Sequence, residues 1–211
     1  MDIAPLCHCF PLIEVPVNRA LYAAGWGYVA LCGLVLLTRR GGAPVAVGGE
    51  PATPVPAFRG EAGEWFAQVK PFCNAVEVEV RQQHLPAPAT VDGAGYSAAC
   101  YALAGKIDRA REVIDRLADG DRSSAAGIVF EVGHPVADAG DDQSAGPIMR
   151  LVVTYQPQNY MALYHAGMSE YILGQKDLAK THLTQFLDLY RDPDGWRNNA
   201  LDVLHRIDVG Q

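Results

Sequence analysis

The alternation of apolar and polar positions predicts helices paired by short glycine turns. The clearest pair lies in Tyr160 to Tyr190. Gly174 ends its first helix. In the second, Ala179, Leu183, Phe186 and Tyr190 fall at steps of four, three and four residues, so they share one helical face. A lone hairpin of this size leaves its apolar stripe exposed, so similar neighbours are expected. Sixty-nine residues upstream the grammar recurs in Tyr96 to Leu117, with Gly105, Ala110, Ile114 and Leu117 in the places of Gly174, Ala179, Leu183 and Phe186. Half that interval predicts a middle copy, and Phe130 to Asn159 supplies it. There Gly133 matches Gly167, Gly140 takes the turn, Ala145 the close contact, Met149 and Val152 the apolar face, and Pro157 the helix end. Pro135 falls inside the first helix of this copy and predicts a short or kinked element.

A period near thirty-four residues with small residues at these offsets resembles the tetratricopeptide repeat family. The resemblance covers Tyr96 to Tyr190, a little under half of the chain. The large aromatic residue of the family's first helix is missing; Leu163 stands there in the last copy. A plain antiparallel bundle with glycine turns is the alternative. The resemblance implies stacked hairpins with a concave face that holds a peptide or another subunit, and no catalysis. On that reading the first helices of the hairpins present Tyr96, Tyr101, Tyr164, His165, Met168 and Tyr171 to a partner, with some of them in the core instead.

Both flanks also read as helical. Trp65, Phe66, Val69, Phe72, Cys73, Val76 and Val80 recur at helical spacing between Gly60 and His84, with Pro71 predicting a kink. Leu85 to Gly95 reads as a loop. After the turn Asp192-Pro193-Asp194-Gly195, Trp196 to Ile207 predicts a capping helix with Trp196, Ala200, Val203, Leu204 and Ile207 inward.

The N-terminal part differs. Ala20 to Leu37 is an uncharged run of eighteen residues bounded by Arg19 and by Arg39-Arg40. As a helix it extends about 27 Å, close to the hydrocarbon thickness of a bilayer. Tyr22, Trp26 and Tyr28 supply aromatic residues, Arg39 and Arg40 the flanking charges, and Gly25, Gly27 and Gly33 a surface for close helix packing. A cleaved signal peptide fits poorly, because Met1 to Asn18 carries acids and no basic residue. A buried core helix fits poorly with the Pro/Gly-rich linker that follows. The expected organisation is therefore an all-α chain: an N-terminal extension over residues 1-19, a transmembrane helix over 20-38, a linker over 39-59, and a repeat domain of about three hairpins with capping helices over 60-211. The excess of arginine after the span places the repeat domain in the cytoplasm of a bacterial cell.

Charge and chemistry narrow the function. A net charge of −7 leaves no basic stripe for nucleic acid. The five cysteines are odd in number and irregular in spacing, so no disulfide framework is expected, and Cys73 and Cys100 read as small buried apolar residues. Cys7-His8-Cys9 lacks the two-residue spacing and second ligand pair of a zinc site, which leaves lipidation or burial against a partner. Gly93-Ala94-Gly95 resembles part of a dinucleotide fingerprint but follows a proline-rich loop rather than a strand. His165 and His182 lie on the two helices of the last hairpin and are expected to approach each other, a poor metal site without a third ligand. Asp138, Asp141 and Asp142 cluster where a helix N-terminus attracts acids. No catalytic, cofactor or metal residue is expected.

The expected function is a scaffold at the bacterial inner membrane, an accessory subunit that stabilises or assembles a larger membrane complex, photosynthetic or respiratory for example. An envelope-biogenesis or secretion adaptor for transient protein clients is the alternative. An enzyme or metal protein using Cys7-His8-Cys9 or the histidine pair is the third, less favoured reading.

Overall fold

The computed structural model describes residues 60–210, and every described element is a helix. The expected span at 20-38 with Tyr22, Trp26, Tyr28, Arg39 and Arg40, the linker and Cys7-His8-Cys9 lie outside the described residues. Among the described residues, no helix is long and apolar enough to cross a membrane.

In chain order the helices are α1 (Ala62–Val69), α2 (Val78–His84), α3 (Val91–Leu103), α4 (Ile107–Asp115), α5 (Asp119–Asp138), α6 (Asp142–Tyr155), α7 (Tyr160–Ile172), α8 (Lys176–Leu189) and α9 (Gly195–Asp208). Three hairpins, α3/α4, α5/α6 and α7/α8, follow one another. Helix α9 packs on the last of them, against both α8 and α7.

The three turns are built alike. Gly105, Gly140 and Gly174 have φ of 73°, 76° and 76°, a left-handed conformation in which a Cβ is strained. Five residues beyond each, Ala110, Ala145 and Ala179 are fully buried, and the apolar face that follows (Ile114; Met149 and Val152; Leu183 and Phe186) is buried as the periodicity predicts. Seven residues before the second and third turns stand Gly133 and Gly167. A Cβ on Gly133 would meet Ile148 at 2.6 Å, and one on Gly167 would meet Leu183 at 2.7 Å. Glycine at this offset therefore sets how closely the two helices of a hairpin cross.

Some helix starts are capped by a side chain. Thr90 Oγ1 accepts from the Gly93 amide at 3.0 Å, Asn159 Oδ1 from that of Ala162 at 3.0 Å, and Asp194 Oδ1 from that of Arg197 at 3.2 Å. The cap at Thr90 starts α3 at Val91, so Val91 to Gly95 belong to a helix and not to the expected loop. Gly93 abuts the Pro88 carbonyl and Gly95 abuts Ile128, which accounts for the dinucleotide-like glycines by packing.

Two expectations about the elements are corrected. Pro135 does not shorten its helix: α5 runs for 20 residues, the longest described, with Pro135 in its last turn. The segment after Gly60 is not one helix. Pro71 falls within a 3-10 turn, Lys70–Phe72, and α2 starts afresh at Val78. The face shifts as a result. Val76 and Val80 are exposed, while Val78 and Gln82 are buried.

A further correction concerns cysteine. Cys73 and Cys100 form a disulfide with Cα atoms 4.8 Å apart, tying the α1–α2 connection to the last turn of α3. It reinforces contacts already present: the Trp65 Nε1 hydrogen bond to the Leu85 carbonyl at 2.9 Å, and the Gln82–Ser97 side-chain pair. The larger apolar core runs from Trp65 and Val69 through α3 and α5 to Ile148 and Leu151. A second cluster joins Leu163, Leu183 and Phe186 to Ala200 and Val203 of α9.

Candidate functional site

The six residues expected to face a partner do not form one surface. Tyr101, Tyr164 and His165 are buried, so they act in the core. Burial first, and Glu79 second, raise the Tyr101 hydroxyl above its ordinary range. Tyr96 is half-buried and stacks on Phe66 at 4.9 Å between ring centres. Met168 and Tyr171 are half-buried at the edge of the second apolar cluster. Aromatic residues on the first helices of the hairpins thus divide between core and rim, because these helices pack on two neighbours at once.

The expected approach of His165 to His182 is replaced by two separate pairings. His182 Nδ1 donates to Glu170 Oε2 at 2.7 Å, and Glu170 has no exposed surface. The other oxygen, Oε1, has no hydrogen-bond partner, and Nη1 of Arg150 lies 3.6 Å from it. His165 turns instead to α5. Its Nε2 lies 3.0 Å from Nε2 of His134.

Asp138, one turn beyond His134 on α5, completes a cluster that the sequence did not suggest. Its Oδ1 lies 3.6 Å from His134 Nε2 and 3.8 Å from His165 Nε2. The i,i+4 spacing puts His134 and Asp138 on one face of α5, and α7 brings His165 against it. Of the three acids near the middle turn, Asp141 is the cap, accepting from the Ser144 amide at 3.2 Å, and Asp142 accepts from the Ser169 hydroxyl at 2.9 Å. Asp138 has neither role.

Aromatic rings wall the cluster. Phe130 stacks on His134 at 4.9 Å, Tyr164 meets His165 edge-on at 5.4 Å, and Trp196 of α9 meets it edge-on at 5.8 Å. Exposure grades across the three donors: His165 is buried, His134 half-buried and Asp138 exposed. Burial, then the neighbouring His134, push the His165 imidazole down to about 4, against the weaker opposing pull of Asp138 and Asp142. His165 is therefore neutral at neutral pH. Among the described residues, this is where three groups able to ligate a metal ion converge.

Elsewhere the surface offers shallow features. One cleft of about 480 Å³ lies between Ser123 and the Tyr155–Tyr160 connection, and one of about 720 Å³ is lined by Pro88, Val91, Val113 and Arg116. Exposed apolar side chains gather at the last turn, where Ile172, Leu173 and Leu178 stand in solvent. No family model, curated protein or solved structure gives a significant match to the chain.

Proposed function

We propose that the chain is a membrane-anchored scaffold of the tetratricopeptide kind, an accessory subunit of a larger membrane complex. One observation carries this reading. The left-handed turn glycines, Gly105, Gly140 and Gly174, recur at intervals of 35 and 34 residues, and so do the buried alanines Ala110, Ala145 and Ala179. A repeated hairpin stacks through its neighbours and presents an extended surface, which suits binding of another protein better than chemistry. Tyr96, Met168 and Tyr171 at the rim, with Ile172, Leu173 and Leu178 at the last turn, are the contact residues of this reading. The anchor rests on the uncharged run Ala20 to Leu37.

The Cys73–Cys100 disulfide favours a compartment that keeps disulfides oxidised. We therefore assign the repeat domain to the oxidising side of the membrane, against the arginine bias around the span. A thiol-alkylation assay on intact cells separates the two orientations.

The function is tested by mild detergent solubilisation of native membranes, size separation and identification of what migrates with the chain. Co-migration at fixed stoichiometry in one large complex is expected. Migration near 22.7 kDa plus detergent overturns the subunit reading and leaves the adaptor for transient clients.

A further inference from the structure

We propose that His134, Asp138 and His165 bind a divalent transition-metal ion, zinc first among them. The proposal rests on the shape of the donor set. The three atoms, His134 Nε2, His165 Nε2 and Asp138 Oδ1, form a triangle with sides of 3.0, 3.6 and 3.8 Å. The circle through them has a radius of about 2.0 Å, from the product of the sides divided by four times the area. Bonds from zinc to imidazole nitrogen and carboxylate oxygen are roughly 2.0–2.2 Å. An ion near the centre of the triangle thus reaches all three donors with no movement of the backbone.

Without an ion the three donors share one hydrogen bond, that between the two histidines. Two imidazole nitrogens at 3.0 Å share one proton between them, one donating and one accepting. The Asp138 oxygen lies beyond hydrogen-bond distance of both nitrogens, yet within 3.8 Å of each. A cation satisfies three lone pairs where a proton satisfies one contact.

The same distances select the ion class. Octahedral facial ligation at this bond length brings all three donors to about 3.0 Å of one another, whereas tetrahedral ligation spreads them to about 3.4 Å. Two of the three sides exceed 3.5 Å, which favours a four-coordinate ion. Two imidazoles and one carboxylate form a borderline nitrogen/oxygen set, suited to zinc and unlike the all-oxygen sets of calcium or magnesium. The fourth position falls to water or to a partner's side chain on the exposed, Asp138 side. The aromatic walls of Phe130, Tyr164 and Trp196 shield the buried side. The ion would join α5 to α7, that is, the second hairpin to the third.

The test uses the full untagged chain in detergent, carrying Cys7→Ser, His8→Ala and Cys9→Ser to remove the other cysteine/histidine cluster. The protein is stripped with chelator and titrated with Zn²⁺ by calorimetry. It is also titrated with Co²⁺, whose visible absorption is strong when four-coordinate and weak when octahedral. One equivalent is expected to bind, with four-coordinate cobalt bands and quenching of tryptophan fluorescence by Co²⁺ through Trp196. Asp138→Ala, at an exposed position, and His134→Ala should each weaken binding tenfold or more. Absence of saturable binding overturns the proposal, and so does a loss of less than tenfold in both variants. Octahedral-type cobalt spectra overturn the assignment to a four-coordinate ion.

Discussion

Glu170 and His182 are joined across the last hairpin turn by a 2.7 Å hydrogen bond, with the Glu170 side chain wholly enclosed. An enclosed carboxylate keeps its place only through its partners, because desolvation costs more than any one contact returns. Removing His182 leaves Oε2 without this bond, while Arg150 stays 3.6 Å from Oε1. His182→Ala is expected to destabilise the domain by about 3 kcal/mol. In the double variant with Glu170→Gln the loss should fall short of the sum of the single losses by at least about 0.5 kcal/mol. Urea unfolding of the four proteins measures this, and strict additivity would show that the pair is not coupled.

The Cys73–Cys100 bond closes a segment that has little core of its own, since α1 and α2 are each only eight residues or fewer. Cross-linking restricts the unfolded chain, and loops of this size gain about 2–4 kcal/mol. Cys73→Ser is expected to lower stability by about that amount and to loosen the α1–α2 segment before the hairpins. Hydrogen exchange resolves the order. Equal loss of protection across α1 to α9 would mean that the bond stabilises the whole domain as one unit.

The hairpins were legible because turn glycine, close alanine and apolar face recur at fixed offsets, and each of these has a local physical cause. The segment before them was not, because Pro71 resets the helical register. Val76 and Val80 look periodic with Trp65, yet Val76 lies in the turn before α2 and Val80 within α2, and Val78 takes the buried place. The disulfide escaped detection because Cys73 and Cys100 are 27 residues apart, and only the packing of α1 and α2 on α3 brings them together. His134 and Asp138 carried an i,i+4 signal that was readable along α5, but His165 reaches them from another hairpin. Pairings across hairpins depend on how the stack is built, and a repeat pattern leaves that geometry open.

Two glycines support the repeat by different physics, and alanine should reveal the difference. Gly140 has φ of 76° with open space around its missing Cβ, so Gly140→Ala costs backbone strain alone, about 1–2 kcal/mol. Gly167 lies in α7 where a Cβ would come within 2.7 Å of the Leu183 side chain and 3.2 Å of its backbone nitrogen. Gly167→Ala is expected to cost about 1–3 kcal/mol through overpacking. Shortening Leu183 to alanine should relieve part of the Gly167→Ala cost and none of the Gly140→Ala cost. Thermal unfolding of the two double variants decides it, and equal rescue of both would refute the distinction.

Tyr155 closes the second hairpin onto the first, its hydroxyl donating to Asp115 Oδ1 at 2.7 Å. Burial first, then this hydrogen bond and the Asp115 charge, push the phenol up to about 12 from an ordinary value near 10. The folded protein holds the proton more tightly than the unfolded chain does. The contribution to stability is therefore fully present below pH 10 and is lost as pH rises from about 10 toward about 12. Phenolate absorbance of the folded protein should show Tyr155 among the late-titrating groups, beside Tyr190, whose hydrogen bond to Asp194 also raises it to about 12. Tyr155→Phe should remove one late phenol and flatten the alkaline fall in stability. Asp115→Asn should keep the phenol but return part of its titration toward the ordinary range. If Tyr155→Phe instead removes a phenol that titrates near 10, the Asp115 contact is not held in solution, and the polar link between the first and second hairpins there is left to Arg122, which donates to the Asp115 carbonyl at 2.9 Å.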